Sequence, residues 1–234
     1  ARAWRYSQLH QICEQLNSNR AGNSCRTVVT GHTGSDRAES LLLQLSRGTD
    51  LAGLGNLRWE RSLNADAADD IRLVRPLLHC SRDDTAAICQ DLQLPIWPDP
   101  SNNDPRFDRN RIRQEVLPVL EALHPGCSRR MADLSERVSQ VQDTQNALVT
   151  LSLEHLKGED GALKRPPLQQ LPSSARRLLL NGWLQTQGMP ALPARQLEEL
   201  STAIGPSQPP GERHLAGQKR LHWCRNWVQL EDNR

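Results

Sequence analysis

The stretch that most constrains this chain is Thr27-Val28-Val29-Thr30-Gly31-His32-Thr33-Gly34-Ser35-Asp36-Arg37-Ala38-Glu39-Ser40. Its first four residues are a β-branched run, the pattern of a buried strand. Gly31 and Gly34 allow a tight turn after it. Thr33 and Asp36 have the spacing of a capping box, so a helix opens here, with Ala38, Leu41, Leu42 and Leu45 as its apolar stripe. A strand feeding a helix through a short turn points to an α/β fold with a parallel sheet. In such sheets ligands sit outside the carboxyl ends of the strands. A helix N-terminus favours anions, so a phosphate is the natural guest for His32, Asp36 and Glu39, and the two carboxylates suit a bridging magnesium ion better than bare phosphate. The same residue types also serve as caps and dipole partners, and spacing alone leaves both readings open.

A second informative stretch runs Asp99-Pro100-Ser101-Asn102-Asn103-Asp104, then Phe107-Asp108-Arg109-Asn110-Arg111-Ile112-Arg113. Proline and Asx residues force turns in its first half. A helix starts in the second, with Ile112, Val116, Val119 and Leu120 inward and Pro118 placed to kink or divide it. Arg106, Arg109, Arg111 and Arg113 crowd one short segment. Guanidinium forks suit phosphates on a nucleotide or on RNA, and a solvated basic face has the same composition.

Together these stretches resemble the two signatures of tRNA(Ile)-lysidine synthetases, within the PP-loop ATP-pyrophosphatases. The first, TGHxxDDxxET followed by RGxGxxGL, is matched at Thr30, Gly31, His32, Asp36, Glu39, Arg47, Gly48, Gly53 and Leu54. Ser35 stands in place of the first Asp, Ser40 in place of Thr, and Asp50 in place of the second Gly of RGxG. The second signature, DxSNxDxxFxRNxIRxxVLPxL, is matched at Asp99, Ser101, Asn102, Asp104, Phe107, Arg109, Asn110, Ile112, Arg113 and Pro118. It separates this family from the related tRNA thiolases and GMP synthetases.

The resemblance implies an α/β fold: an incomplete doubly wound parallel sheet of the PP-loop ATPase, adenine nucleotide alpha hydrolase-like type, then a mostly helical domain with a small β-meander. The expected domains are residues 1–125 and 126–234, divided at His124-Pro125-Gly126, the second being of the substrate-binding type. It implies ATP and Mg2+ as cofactors and ligation of L-lysine to C2 of the wobble cytidine of tRNA(Ile), through an adenylated intermediate. His32, Asp36, Glu39 and Arg109 are the expected catalytic residues. His32, Arg109, Asn110 and Arg113 are expected to bind ATP or phosphate, and Asp36 and Glu39 to hold magnesium or orient the lysine. Arg47, Arg111, Arg129, Arg130, Arg176 and Arg177 are candidates for tRNA contact. A cytoplasmic location and a homodimer complete the expectation. The chain opens inside a helical pattern, without Met, and without the family's SGGxDS phosphate loop. It therefore reads as truncated at its N-terminus and inactive alone. A non-catalytic tRNA-binding remnant and another PP-loop tRNA-modifying enzyme, such as a thiolase, are the alternatives.

Bulk properties agree without deciding. The 234 residues carry a formal net charge of +2, too mild to demand nucleic acid. Only 3% are aromatic, so the core must come from Leu, Val, Ile and Ala. Six scattered cysteines lack a CxxC pair, which argues against a zinc ribbon, an iron–sulfur thiolase or a disulfide framework. No apolar run reaches membrane-spanning length.

The rest reads mainly as scaffold. Residues 2–16 form a helix with Leu9, Ile12, Cys13 and Leu16 on one face, 17–24 a polar loop, 51–57 a turn, 60–70 a surface excursion and 71–74 a strand. Ser81 and Asp84 cap a helix carrying Thr85, Ile88, Cys89 and Leu92. A long helix reaches His155, and 158–172 is a loop. Ser173 or Ser174 caps a helix with Leu178, Leu179 and Trp183 inward, and 193–204 is helical. Short antiparallel strands follow at 213–215, 219–224 and 227–230, with Trp223 and Trp227 read as core.

Overall fold

A computed structural model describes residues 2–19, 25–55, 57–64, 71–97 and 99–232. The chain divides into two compact units, Ala1–Gln142 and Asp143–Arg234. The turn at His124-Pro125-Gly126 separates two helices, while the division between units falls inside the long helix α7 (Cys127–Leu156).

The first unit begins with α1 (Arg2–Asn19), then β1 (Thr27–Val29), α2 (Gly34–Arg47) and the short α3 (Leu51–Leu54). Strands β2 (Glu60–Ser62) and β3 (Arg72–Val74) follow, then α4 (Arg82–Asp91). Strand order is β1-β3-β2, with β1 parallel to β3 and β2 antiparallel to it. The β1–α2–β3 connection is the α/β unit that the first stretch specifies. The edge strand β2 lies where the sequence reads as a polar excursion. Its Glu-Arg-Ser carries no alternating apolar pattern and is held by pairing with β3 and by the Glu60–Arg72 ion pair at 2.9 Å. The remainder of that excursion, 65–70, lies outside the described residues, as does the end of the 17–24 loop; Asn17 and Ser18 belong to α1.

The apolar faces expected on α1 and α4 are only partly used. Cys13 is buried with Leu63, Ile71 and Leu73, and Tyr6, Leu9 and Val28 pack against them. Ile12 on α1 and Ile88 and Leu92 on and after α4 are exposed, as is Leu45 near the end of α2. Strands of three residues offer too little sheet face to cover them.

After a 3-10 turn (Pro100–Asn103) the chain forms α5 (Asp108–Arg111), a π-helical segment (Ile112–Val116) and α6 (Leu117–Leu123). Pro118 has no N–H to donate, and the helix adapts by widening just before it rather than breaking. Leu117 is buried and Ile112 and Leu120 are half-buried, whereas Val116 and Val119 are exposed, so only part of the expected face turns inward. The wider turn shifts the register of every side chain after it.

The second unit holds the later part of α7, β4 (Leu163–Lys164), α8 (Arg165–Gln169), α9 (Ser173–Thr186), α10 (Ala194–Ala203), and strands β5 (Gly211–Leu215), β6 (Lys219–Trp223) and β7 (Trp227–Asp232). The last three strands form the expected meander, and β4 adds to its β7 edge. Leu163, Leu168, Leu180, Trp183, Leu184, Leu200, Ile204, Leu221 and Val228 make one nearly solvent-free cluster. Each such side chain contributes about 1.5–3 kcal/mol of burial. Trp183 Nε1 donates to Gly161 O and Trp223 Nε1 to Pro209 O, so both indoles are core residues. No serine side chain caps α9; Pro172 occupies that position, its fixed φ suited to the entry. No helix among the described residues is long and apolar enough to cross a membrane.

Candidate functional site

The site grows from the turn after β1. Thr30 N–H donates to Val74 O, continuing the β1–β3 ladder, and Thr30 Oγ1 lies 3.0 Å from His32 Nδ1. Thr33 then caps α2: its hydroxyl accepts from Asp36 N–H, while Asp36 Oδ2 accepts from Thr33 N–H at 2.7 Å. Gly34 is required by close approach. Its N–H donates to Cys80 O at 2.8 Å, and a Cβ there would meet Leu78 O at 3.1 Å. Ser35, the residue in place of Asp, accepts from Arg82 N–H at 3.1 Å and so joins the starts of α2 and α4.

The second stretch reaches this turn. Glu39 is 1% exposed, and Arg109 and Arg113 grip it together. Arg109 Nε donates to Glu39 Oε2 at 2.7 Å, Arg113 Nε to Oε1 at 2.6 Å, and Arg113 Nη2 to Oε2 at 3.0 Å. Arg109 Nη2 also donates to Asp36 Oδ1 at 2.8 Å. Arg82 approaches both carboxylates, at 3.6 Å from Asp36 and 3.9 Å from Glu39. Three guanidiniums therefore surround two carboxylates. The Glu39 hydrogen bond and the nearby carboxylate charges raise the Arg113 pKa, so this guanidinium is charged at any working pH.

Asn110 sets the loop that presents these arginines. It is buried, and its Nδ2 donates to Ser101 O at 2.8 Å and Asp104 O at 3.0 Å. Asp99 caps the 3-10 turn through Ser101 N–H, and Asp104 chelates Arg106. Both carboxyls are held below their ordinary range, Asp99 by Ser101 and Asp104 by Arg106.

This geometry bears on the expectation that Asp36 and Glu39 hold magnesium. All four oxygens of Asp36 and Glu39 already face donors, most of them cationic. The pair does not fit magnesium in this arrangement. Binding the ion would require breaking ion pairs that are partly or fully out of water.

The expected tRNA-contacting arginines separate by environment. Arg47 (57% exposed) pairs with Asp108, Arg111 with Glu115, and Arg177 with Glu198, all at the surface. Arg129 is exposed, and Arg130 donates to His124 O and Pro125 O, closing the end of α6. Arg176 departs from the expectation. It is 6% exposed, and its guanidinium donates to Ser201 O and Leu171 O, tying α9 to α10. A side chain so enclosed does not reach a nucleic acid.

Sequence reasoning missed Arg37 and Arg82. Arg37 is 3% exposed, donating to Leu57 O and pairing with Glu136 at 2.7 Å. Arg82 looks out of place in the first turn of a helix, where a cation opposes the dipole; that misplacement is the one signal that it has a carboxylate partner elsewhere.

The strand, turn and helix that carry this ion-paired cluster lie within a PP-loop domain. The family model described as "PP-loop domain" matches residues 1–120, and that described as "TilS substrate binding domain" matches 163–228. The chain is 56% identical over 231 residues to tRNA(Ile)-lysidine synthase of Parasynechococcus marenigrum (strain WH8102), covering 99% of this chain and 66% of the relative. It is 39% identical over 230 residues to the enzyme of the same name from a strain of Prochlorococcus marinus, covering 98% and 67%. It is 37% identical over 231 residues to that of a Synechococcus strain, covering 99% and 67%. The chain belongs to the tRNA(Ile)-lysidine synthase family and spans about two thirds of the length of these curated relatives.

Proposed function

We propose that the protein takes part in ATP-dependent ligation of L-lysine to C2 of the wobble cytidine of tRNA(Ile). The relatives' shared name favours this reading over a thiolase. One observation carries it: Asp36 and Glu39 of the first stretch meet Arg109 and Arg113 of the second in one cluster at the start of α2. In the first step the cytidine carbonyl oxygen attacks the α-phosphorus of ATP and pyrophosphate leaves. In the second the lysine amine attacks C2 and AMP leaves.

Both steps move negative charge on phosphate oxygens, and oriented guanidiniums stabilise such charge without reorganising. Arg109 is 35% exposed and Arg113 20%, so they can meet a phosphate while Glu39 fixes their planes. Asp36 holds Arg109 from its other side, accepting from Nη2 at 2.8 Å. His32 contacts the nucleotide or the activated base. In this arrangement the carboxylate oxygens are taken up by the arginines and the helix cap and do not fit magnesium. The test is Arg109→Ala in the full-length protein, with lysidine in the tRNA quantified by nucleoside mass spectrometry. Turnover falls by about 100-fold or more, the scale of one lost oxyanion donor. Unchanged turnover refutes the role.

A further inference from the structure

Two thiols that take no part in the arginine cluster lie close together. Cys13 is buried on α1, and the half-buried Cys25 stands two residues before β1. Their Sγ atoms are 3.3 Å apart. Both ends of the contact are held. Cys13 shares the apolar cluster of Leu63, Ile71 and Leu73, with Cys25 packed against it. The Asn17 side chain grips the Cys25 backbone, its Oδ1 accepting from Cys25 N–H and its Nδ2 donating to Cys25 O. The sulfurs meet because α1 and the approach to β1 are each anchored.

We propose that Cys13 and Cys25 form a reversible dithiol–disulfide pair, closed by hydrogen peroxide. Cys25 is the accessible partner, and its thiolate attacks the O–O bond. An S–O bond forms, the O–O bond breaks, and the departing oxygen is protonated to water, leaving a sulfenic acid. The Cys13 sulfur then attacks that sulfur. An S–S bond forms, the S–O bond breaks, and hydroxide leaves with the Cys13 proton as a second water. Two thiols and one peroxide yield one disulfide and two waters, with two electrons passing to the peroxide. A disulfide needs its sulfurs about 2.05 Å apart, so the pair must close by roughly 1 Å, within reach of side-chain rotation. The product staples α1 to the entry of β1, the strand that leads to Thr30 and His32, and constrains the unfolded chain.

The test treats the protein with stoichiometric hydrogen peroxide, blocks remaining thiols with N-ethylmaleimide, and maps tryptic peptides. Cleavage after Arg20 separates peptides 6–20 and 21–26, which carry Cys13 and Cys25. These peptides emerge linked, two of the six thiols are lost to alkylation, dithiothreitol restores both, and the oxidised form melts at higher temperature than the reduced one. In Cys13→Ser the Cys25 sulfur instead advances to sulfinic acid. The proposal is overturned if the wild-type peptides remain separately alkylated, if Cys25 overoxidises with Cys13 present, or if linkages scatter among Cys80, Cys89, Cys127 and Cys224. The wild-type map is decisive even if a serine variant folds poorly.

Discussion

Glu39 shows how a single side chain acquires its role from distant parts of the chain. A carboxylate at 1% exposure is tolerated because Arg109 and Arg113 surround it. Removing the charge leaves two guanidiniums facing an amide. Glu39→Gln should therefore destabilise the fold by about 2 kcal/mol, less than for a fully buried pair because both arginines reach solvent. The midpoint of urea unfolding measures this, and an unchanged midpoint would show that the cluster contributes nothing to stability. The sequence marks all three residues by motif. It does not show that they touch, because they lie 70 and 74 positions apart. For the same reason Arg176 looked like a surface arginine: nothing local reveals that Ser201 O and Leu171 O enclose it.

Helices α6 and α7 illustrate the scale of the element. The start of α7 is capped from outside, by Glu121 of α6. Its carboxylate accepts from the N–H groups of Gly126 at 2.7 Å, Cys127 at 3.2 Å and Ser128 at 2.6 Å. Ser128, then Gly126 and Cys127, hold the Glu121 carboxyl at about 2, against an ordinary 4.5. A folded pKa below the unfolded one adds stability above the unfolded value, and the contribution disappears as pH falls from 4.5 toward 2. Other carboxylates titrate in the same range, so the difference between wild type and Glu121→Gln isolates this one. That difference, about 1 kcal/mol at pH 7 on the scale of an N-cap, should shrink toward zero near pH 2 in acid-dependent unfolding curves. A constant difference would exclude the cap. The cap boxes of α2 and α4 were legible because both partners sit three residues apart; this one was not, because the turn carries the capping group back from the preceding helix.

Across the whole molecule, 29 basic residues nearly balance 27 acidic ones, so affinity for tRNA must come from placement rather than total charge. Arg47, Arg111, Arg129, Arg130 and Arg177 are the exposed candidates. Replacing any of them that meets a phosphate lowers the slope of log K against log salt by about 1 in tRNA binding titrations. Replacing Arg176 leaves the slope unchanged and lowers thermal stability instead. A slope unmoved by all five exposed changes would remove them from the interface.

The amino-acid sequence alone determined the strand–turn–helix at Thr27–Val29 and Gly34–Arg47, the two cap boxes, the long helix and the closing meander. Each rests on a period or cap that spans a few residues. Tertiary structure decided the edge strand Glu60–Ser62, the inward face after the widened turn at Ile112–Val116, the burial of Arg176, and the union of Asp36 and Glu39 with Arg109 and Arg113. Those depend on desolvation and on charges brought together by the path of the backbone, and neither is encoded in local spacing.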